Sequence, residues 1–397
     1  MTLTQFALKD ISRNEFRSWM VFTSSTLVAG LVLAASLLLY GTSESLLRTR
    51  DRLGADILVV PEGSESRVEN ALLMGAATTV WMPADNVQGI RAVHGVAAAS
   101  PQMYLASLTG ASCCSVSSMF IVAFDPGTDF TVQPWLERQI GGELALGDAV
   151  GGAFVSVPED EEGIRIYGYP LELASTLEPT GGSLDQSLFL TFETAREVAR
   201  RSVTDAERPL EIPDESVSSV LVRVDEGIDP NAVAGAILSS VPGVGVVMSP
   251  EMFDAFRGQI STMRGGLLLA LGLTVVLSLM LIAVVFSMAT HERRREIGVW
   301  RALGATRGQV VQALVVQAAL LATVGGLVGV ALSAYGTFLF HDYIVGRVGV
   351  PFLFPSFAML IPFMLLGLFV AVMTATLASL APALRVSSQD PASAMRE

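Results

Sequence analysis

The sequence predicts a membrane protein with four transmembrane α-helices, arranged one plus three, and a large α+β extracytoplasmic domain between the first and second spans. Three observations predict it. The 397 residues are 51% hydrophobic and only 16% charged, with mean hydropathy +0.54, more apolar side chain than a soluble core of this size needs. The apolar residues gather in four blocks, 20–40, 266–289, 309–336 and 357–381, each long enough to cross about 30 Å of hydrocarbon. Charge is segregated as well. Residues 41–263 hold 31 Asp and Glu against 13 Arg, a balance of −18 in a chain of net charge −13.

Residues 1–19 form an amphipathic segment carrying Lys9, Arg13 and Arg17 ahead of the first span. A basic start followed by an apolar run also fits a cleaved signal peptide. The run from Met20 to Tyr40 is longer than a usual signal core, and no convincing small-residue cleavage site follows Gly41, so a retained span is the better reading.

Residues 41–263 are too many for an unstructured loop. Ala55–Pro61 reads as a strand, and an amphipathic stretch from Pro83 puts Val87, Ile90 and Val93 on one face before a strand at Val96–Ser100. The phrase returns with a strand at Ser218–Val224, Asp229-Pro230, a helix turning Val233 and Ile237 inward, and a second strand after Val241-Pro242-Gly243-Val244. These two β-α-β units suggest a pseudo-repeated α/β subdomain. Between them, at about 145–192, Gly-rich short-strand texture suggests an inserted, mostly β subdomain containing the turn-rich Leu177–Gly182.

Basic residues in short flanking segments set orientation. Arg293, Arg294, Arg295, Arg301 and Arg307 crowd the link between the second and third spans, opposed only by Glu292 and Glu296. This link and the N-terminus therefore belong in the cytoplasm. The link at about 338–356 offers only Arg347 and Asp342, as an outer loop would. Both termini, including the 382–397 tail, are then cytoplasmic, residues 41–263 lie outside, and the location is the cell membrane.

Several chemistries are poorly supplied. No G-x-x-x-x-G-K occurs, so ATP is not bound here by the usual P-loop. There is no G-x-S-x-G or H-E-x-x-H from which to build a hydrolase, and catalysis by this chain is not expected. His94, His291 and His341 are too scattered for a shared metal site. An acidic domain argues against nucleic acid as a partner. The only cysteines, Cys113 and Cys114, are adjacent. A vicinal disulfide or a soft-metal site is one reading, and two small buried hydrophobes is the favoured one, because further ligands are missing nearby.

The spans are almost free of ionisable residues, which argues against an ion path. Small residues recur at helical spacing instead: Gly325, Gly329 and Ser333 in the third span, and Gly367, Ala371, Ala375 and Ser379 in the fourth. Such stripes allow close helix packing. The inner link, 290–308, is the most informative segment. It is charged at its start, then amphipathic through Ile297, Trp300 and Leu303, and Gly304-Ala305-Thr306 breaks it before the third span. A short helix along the inner membrane surface has this composition. An exposed Trp300 among charges suits a docking surface, while the plainer reading is an arginine anchor for the span ends.

At this segment the chain resembles the FtsX/MacB-like permease family of ABC transporters, the type VII or mechanotransmission class, as a small four-span member without a fused ATPase. The resemblance is carried by E-R-R-R-E-I-G-V-W-R-A-L-G-A at Glu292–Ala305, L-G-A-D-I-L-V-V at Leu53–Val60, L-E-P-T-G-G-S-L-D at Leu177–Asp185 and the tail Ala381–Glu397. It implies a homodimer in the lipid bilayer joined to two separate ABC ATPase subunits, which bind the ATP and Mg. It also implies coupling through Glu292, Arg293, Arg294, Arg295, Glu296, Trp300, Arg301, Gly304 and Ala305. The family's cargoes are amphipathic or hydrophobic, and some members work with a periplasmic or extracellular accessory protein. Its division-linked members instead activate an extracytoplasmic cell-wall hydrolase without moving cargo, and that alternative stays open.

Overall fold

A computed structural model describes residues 15–74, 78–109, 118–157, 163–292, 294–302, 304–340 and 352–387. The chain divides into a helical unit, Met1–Tyr40, Ser261–Phe340 and Phe354–Glu397, and a sheet unit, Gly41–Ile260 with His341–Leu353. Cys113 and Cys114, Arg293 and the end of the tail lie outside the described residues.

In chain order the sheet unit contains β1 (Ile57–Pro61), α2 (Glu65–Met74), β2 (Met82–Pro83), α3 (Asn86–Arg91), β3 (Val96–Thr109), β4 (Ser118–Phe124) and α4 (Gln133–Ile140). There follow β5 (Asp148–Gly151), β6 (Ile164–Ile166), β7 (Tyr169–Thr176), a 3₁₀ turn at Ser183–Gln186, β8 (Ser187–Thr191) and α5 (Phe192–Asp205). The unit continues with β9 (Ser216–Val217), β10 (Ser219–Val224), α6 (Pro230–Ser240) and β11 (Val244–Met248). Helix α1 (Glu15–Leu53) precedes β1, and α7 (Ser249–Glu292) follows β11.

Among the described residues, nine strands form one mixed sheet in the order β11-β1-β10-β3-β4-β8-β5-β7-β6. The two β-α-β units, β1-α3-β3 and β10-α6-β11, interleave. β10 lies between β1 and β3, β1 lies between β10 and β11, and all neighbouring pairs here are antiparallel. This is a split β-α-β arrangement of the ferredoxin type. The alternation of β1 shows why it holds. Ile57 and Val59 join the core under α3 and α6 with Val87, Ile90, Val233 and Ile237, while Leu58 and Val60 join the opposite core with Val68, Leu72, Trp135 and Phe253. The stretch expected as a separate β subdomain at 145–192 instead extends this same sheet, β8 pairing parallel with β4 and antiparallel with β5.

The motif at Leu53–Val60 closes α1 onto the sheet. Gly54 takes a positive φ of 56°, a conformation that costs glycine little. The Asp56 carboxylate then accepts a 2.8 Å hydrogen bond from the Val224 N–H, and its carbonyl accepts one from the Ser249 N–H at 3.0 Å.

The helical unit holds α1 as far as Tyr40 and α7 from Ser261, then α8 (Arg294–Ala302), α9 (Arg307–Leu339) and α10 (Phe357–Ser387). Among the described residues, four helices are long and apolar enough to cross a membrane: Glu15–Arg50, Ser261–Glu292, Arg307–Leu339 and Phe357–Ser387. All four extend beyond the apolar blocks, because a helix needs hydrogen bonding and propensity rather than hydrocarbon, and polar residues such as Glu44, Ser45 and Arg48 continue α1 without penalty.

Candidate functional site: the inner link and the turn at Asp185

Helix α7 ends at Glu292 and α8 runs from Arg294 to Ala302. Gly304 ends the link with φ +100°, the left-handed region that a side chain strains. Its N–H donates to the Arg301 carbonyl at 3.1 Å, and the Ala305 N–H donates to the Trp300 carbonyl at 3.0 Å. Thr306 then caps α9. Its hydroxyl accepts from the Gln309 N–H while the Gln309 side chain accepts from the Thr306 N–H, satisfying two backbone donors reciprocally.

One face of α8 is fixed by packing. Ile297, 4% exposed, sits with Val310 and Leu314 of α9 and with Ala383 and Val386 of α10, and Gly298 beside it is buried. The opposite face presents Arg295 and Glu296 to solvent together with Val299, 43% exposed, and Glu292 at the end of α7 is exposed as well. Trp300, read from sequence as exposed, is half-buried, as are Arg294, Arg301 and Ala305, while Gly304 is exposed. A nine-residue helix with Ile297 seated against its neighbours turns Trp300 partly out of water, and the apolar side chain left outermost is Val299. Beside the start of α9 lies an open groove of about 650 Å³ lined by Arg307, Val311, Gln312, Val315, Leu380 and Leu384.

The small-residue stripes lie on helix faces within the bundle. A Cβ on Gly325 would stand 2.6 Å from the Phe22 carbonyl oxygen, and one on Gly329 would strike the Thr26 backbone, 2.9 Å from both its Cα and carbonyl carbon. The Thr26 hydroxyl lies 2.8 Å from the Phe22 carbonyl and 2.9 Å from the Gly325 carbonyl. Gly367 faces the Ala29 carbonyl, 2.9 Å from where its Cβ would be. Ala371, Ala375 and Ser379 are buried, and Ser333 is half-buried with a hydroxyl that has no hydrogen-bond partner among the described residues. Helix α1 is thus approached closely by both α9 and α10. Sequence reading missed its share of this seam, Thr26 and Gly30, although the Thr26-x-x-x-Gly30 spacing was there to be read.

In the sheet unit, the L-E-P-T-G-G-S-L-D stretch is organised by one buried carboxylate. Asp185, 0% exposed, accepts from the Thr180 N–H (2.8 and 2.9 Å), the Thr180 hydroxyl (2.8 Å) and the Gly181 N–H (2.5 Å). Burial pushes its pKa above the usual carboxylate value, opposed by these donors and by the Arg52 charge. Arg52 also donates to the Glu178 carbonyl at 2.7 Å. Among the described residues no cluster of three or more His, Cys, Asp or Glu could hold a metal ion.

Residues 268–391, which include α8, α9 and α10, match the family described as FtsX-like permease C-terminal. Over that stretch the chain is similar to FtsX-like permeases, and it is similar to MacB proteins as well. The macrolide export ATP-binding/permease protein MacB of Neisseria gonorrhoeae is 30% identical over 95 residues, 23% of this chain and 15% of that protein. MacB of Azoarcus sp. strain BH72 is 23% identical over 354 residues, 83% of this chain and 51% of that protein. An uncharacterized ABC transporter permease of Bacillus subtilis strain 168, YknZ, is 33% identical over 100 residues, covering 23% and 24%. The chain thus spans about half or less of these relatives. The crystal structure of the periplasmic region of MacB from Actinobacillus actinomycetemcomitans overlaps 52% of this chain and 94% of its own, at 8% identity and a TM-score of 0.26, a superposition too loose to support an inference.

Proposed function

We propose that the chain is the permease subunit of an ATP-driven ABC transporter that exports or extracts an amphipathic or hydrophobic cargo. In this reading ATP is hydrolysed by separate cytoplasmic ATPase subunits, two per permease homodimer. α8 is the coupling helix on which each ATPase sits. Movement passes through the spans to the sheet unit, which stands outside the cytoplasm with both termini inside, where an accessory protein is a further partner. The observation that carries the reading is the geometry of α8 within the FtsX-like domain. Ile297 fixes it to α9 and α10, while Arg295, Glu296 and Val299 are left outward beside an arginine-rich link. A docking patch of this kind combines an apolar anchor with charges that set register.

The test is copurification followed by reconstitution. Trp300→Ala and Arg294→Glu should each reduce recovery of the ATPase subunit, and unchanged recovery would remove α8 from the coupling role. Reconstituted ATPase activity should rise with a transported amphiphile. A rise only with a cell-wall hydrolase would move the assignment to a signalling permease.

A further inference from the structure

Three stretches far apart in sequence meet in the sheet unit: Gly41 on α1, the Thr180–Asp185 turn, and Phe352–Leu353 ahead of α10. Phe352 is 0% exposed. Its N–H donates to the Gly181 carbonyl at 2.8 Å, and the Leu353 N–H donates to the Gly41 carbonyl at 3.2 Å. Both acceptors are glycines, and the fit needs them to be. A Cβ on Gly41 would lie 2.5 Å from Phe352 Cδ2 and 2.7 Å from the Leu353 oxygen. A Cβ on Gly181, at φ +74°, would lie 2.6 Å from the Phe352 carbonyl carbon and 2.7 Å from the Leu353 nitrogen. Asp185 holds the turn through Thr180 and Gly181. Gly182 faces α1 in turn, its added Cβ 3.1 Å from Thr49 Oγ1.

Tyr40 is the last residue of the helical unit before Gly41, and Phe354 is the first after Leu353. Two of the points where the chain passes between units are therefore hydrogen-bonded to one another inside the sheet unit. We propose that Phe352 and Asp185 are positioning residues of a clasp through which the sheet unit holds the chain of α1 and the chain of α10 at one point. A stroke along the spans then reaches the sheet through α10 as well as through α1 and α7. A plain loop anchor would bury Phe352 too. The clasp differs in making the response of the sheet to ATP depend on it. This rests on the permease reading above.

The experiment uses the full chain, with Cys113→Ser and Cys114→Ser, in lipid nanodiscs, alone and with its copurified ATPase, read by hydrogen exchange. Alone, Phe352→Ala and Gly41→Val should speed exchange of the Met359 and Leu360 amides, the first to bond in α10 (to the Ser356 carbonyl, 2.9 and 3.0 Å), by about tenfold or more, leaving β1 and β10 unchanged. With the ATPase, the ATP-dependent change in exchange at Thr180–Asp185 should vanish in both variants while complex formation and basal ATP hydrolysis persist. A Thr49→Cys/Gly182→Cys disulfide, which ties the turn to α1 without touching Phe352, should keep that response. Unchanged exchange at Met359 and Leu360 in both variants overturns the clasp. So does a full ATP response in Phe352→Ala. If no ATPase copurifies, the permease reading and the transmission fall together, and the measurement on the chain alone still decides whether the clasp exists.

Discussion

Gly329→Ala offers the sharpest test of how the bundle is packed. A methyl at this position would meet backbone, with the Thr26 Cα and carbonyl carbon at 2.9 Å against an ordinary separation of about 3.5–4.0 Å. No side chain can swing away, so α1 and α9 must part. Overpacking of this kind costs about 1–3 kcal/mol. Separation would also stretch the 2.9 Å link from the Thr26 hydroxyl to the Gly325 carbonyl, a type of bond worth about 0.6 kcal/mol between membrane helices. Gly336 on the same helix is the control. A Cβ there meets nothing within 4 Å, so Gly336→Ala should gain the usual helix preference of alanine over glycine, about 0.5–1 kcal/mol. Alanine's helix preference acts at Gly329 too and cancels between the variants, so unfolding of the full chain in mixed micelles should place them about 1.5–3.5 kcal/mol apart, on opposite sides of wild type. A Gly329→Ala protein as stable as Gly336→Ala would refute the close approach of α1 and α9.

Other expectations follow the same geometry. Ile297→Ala should destabilise the α8 end of the bundle by about 2–4 kcal/mol, seen as earlier loss of α8 protection in hydrogen exchange, because its side chain fills the space among Val310, Leu314 and Ala383. Gly304→Val should cost about 1–2 kcal/mol through its positive φ alone, measured by thermal unfolding, since no neighbouring atom opposes the added Cβ. Asp185 binds its proton more readily folded than unfolded. Its contribution is thus fully present below the unfolded carboxylate pKa and is lost as pH rises through the raised folded value. Urea unfolding followed by tryptophan fluorescence should show stability falling with pH across that window, and Asp185→Asn should flatten the slope. That variant should also lose about 1–3 kcal/mol, because an amide cannot accept from all the donors around it.

The spanning helices were legible because hydrocarbon demands long apolar runs, and the four blocks are such runs. Their true ends were not, since α1 continues through Glu44 and Arg48 to Leu53 and α7 begins at Ser249, where hydropathy reports nothing. The repeated β-α-β phrase was legible from period-two and helical alternation around Val87, Ile90, Val233 and Ile237. Pairing was not. Nothing local to β5 or β8 announces that both extend the sheet of β1. In the inner link the sequence shows which residues are charged and which are apolar, but burial depends on neighbours. Trp300 is half-buried and Val299 is outermost because Ile297 seats against α9 and α10. Phe352 had no signature at all. Its site is made by Gly41 and Gly181 from distant parts of the chain, and only tertiary structure brings them together.

The docking role proposed for α8 can be tested most directly by purifying the full chain with its native partners and comparing it with Val299→Glu and Arg295→Glu, both at solvent-facing positions. A P-loop ATPase should copurify with wild type and be lost from both variants, which should keep wild-type thermal stability. Equal ATPase recovery from all three proteins, or none from wild type, would contradict it.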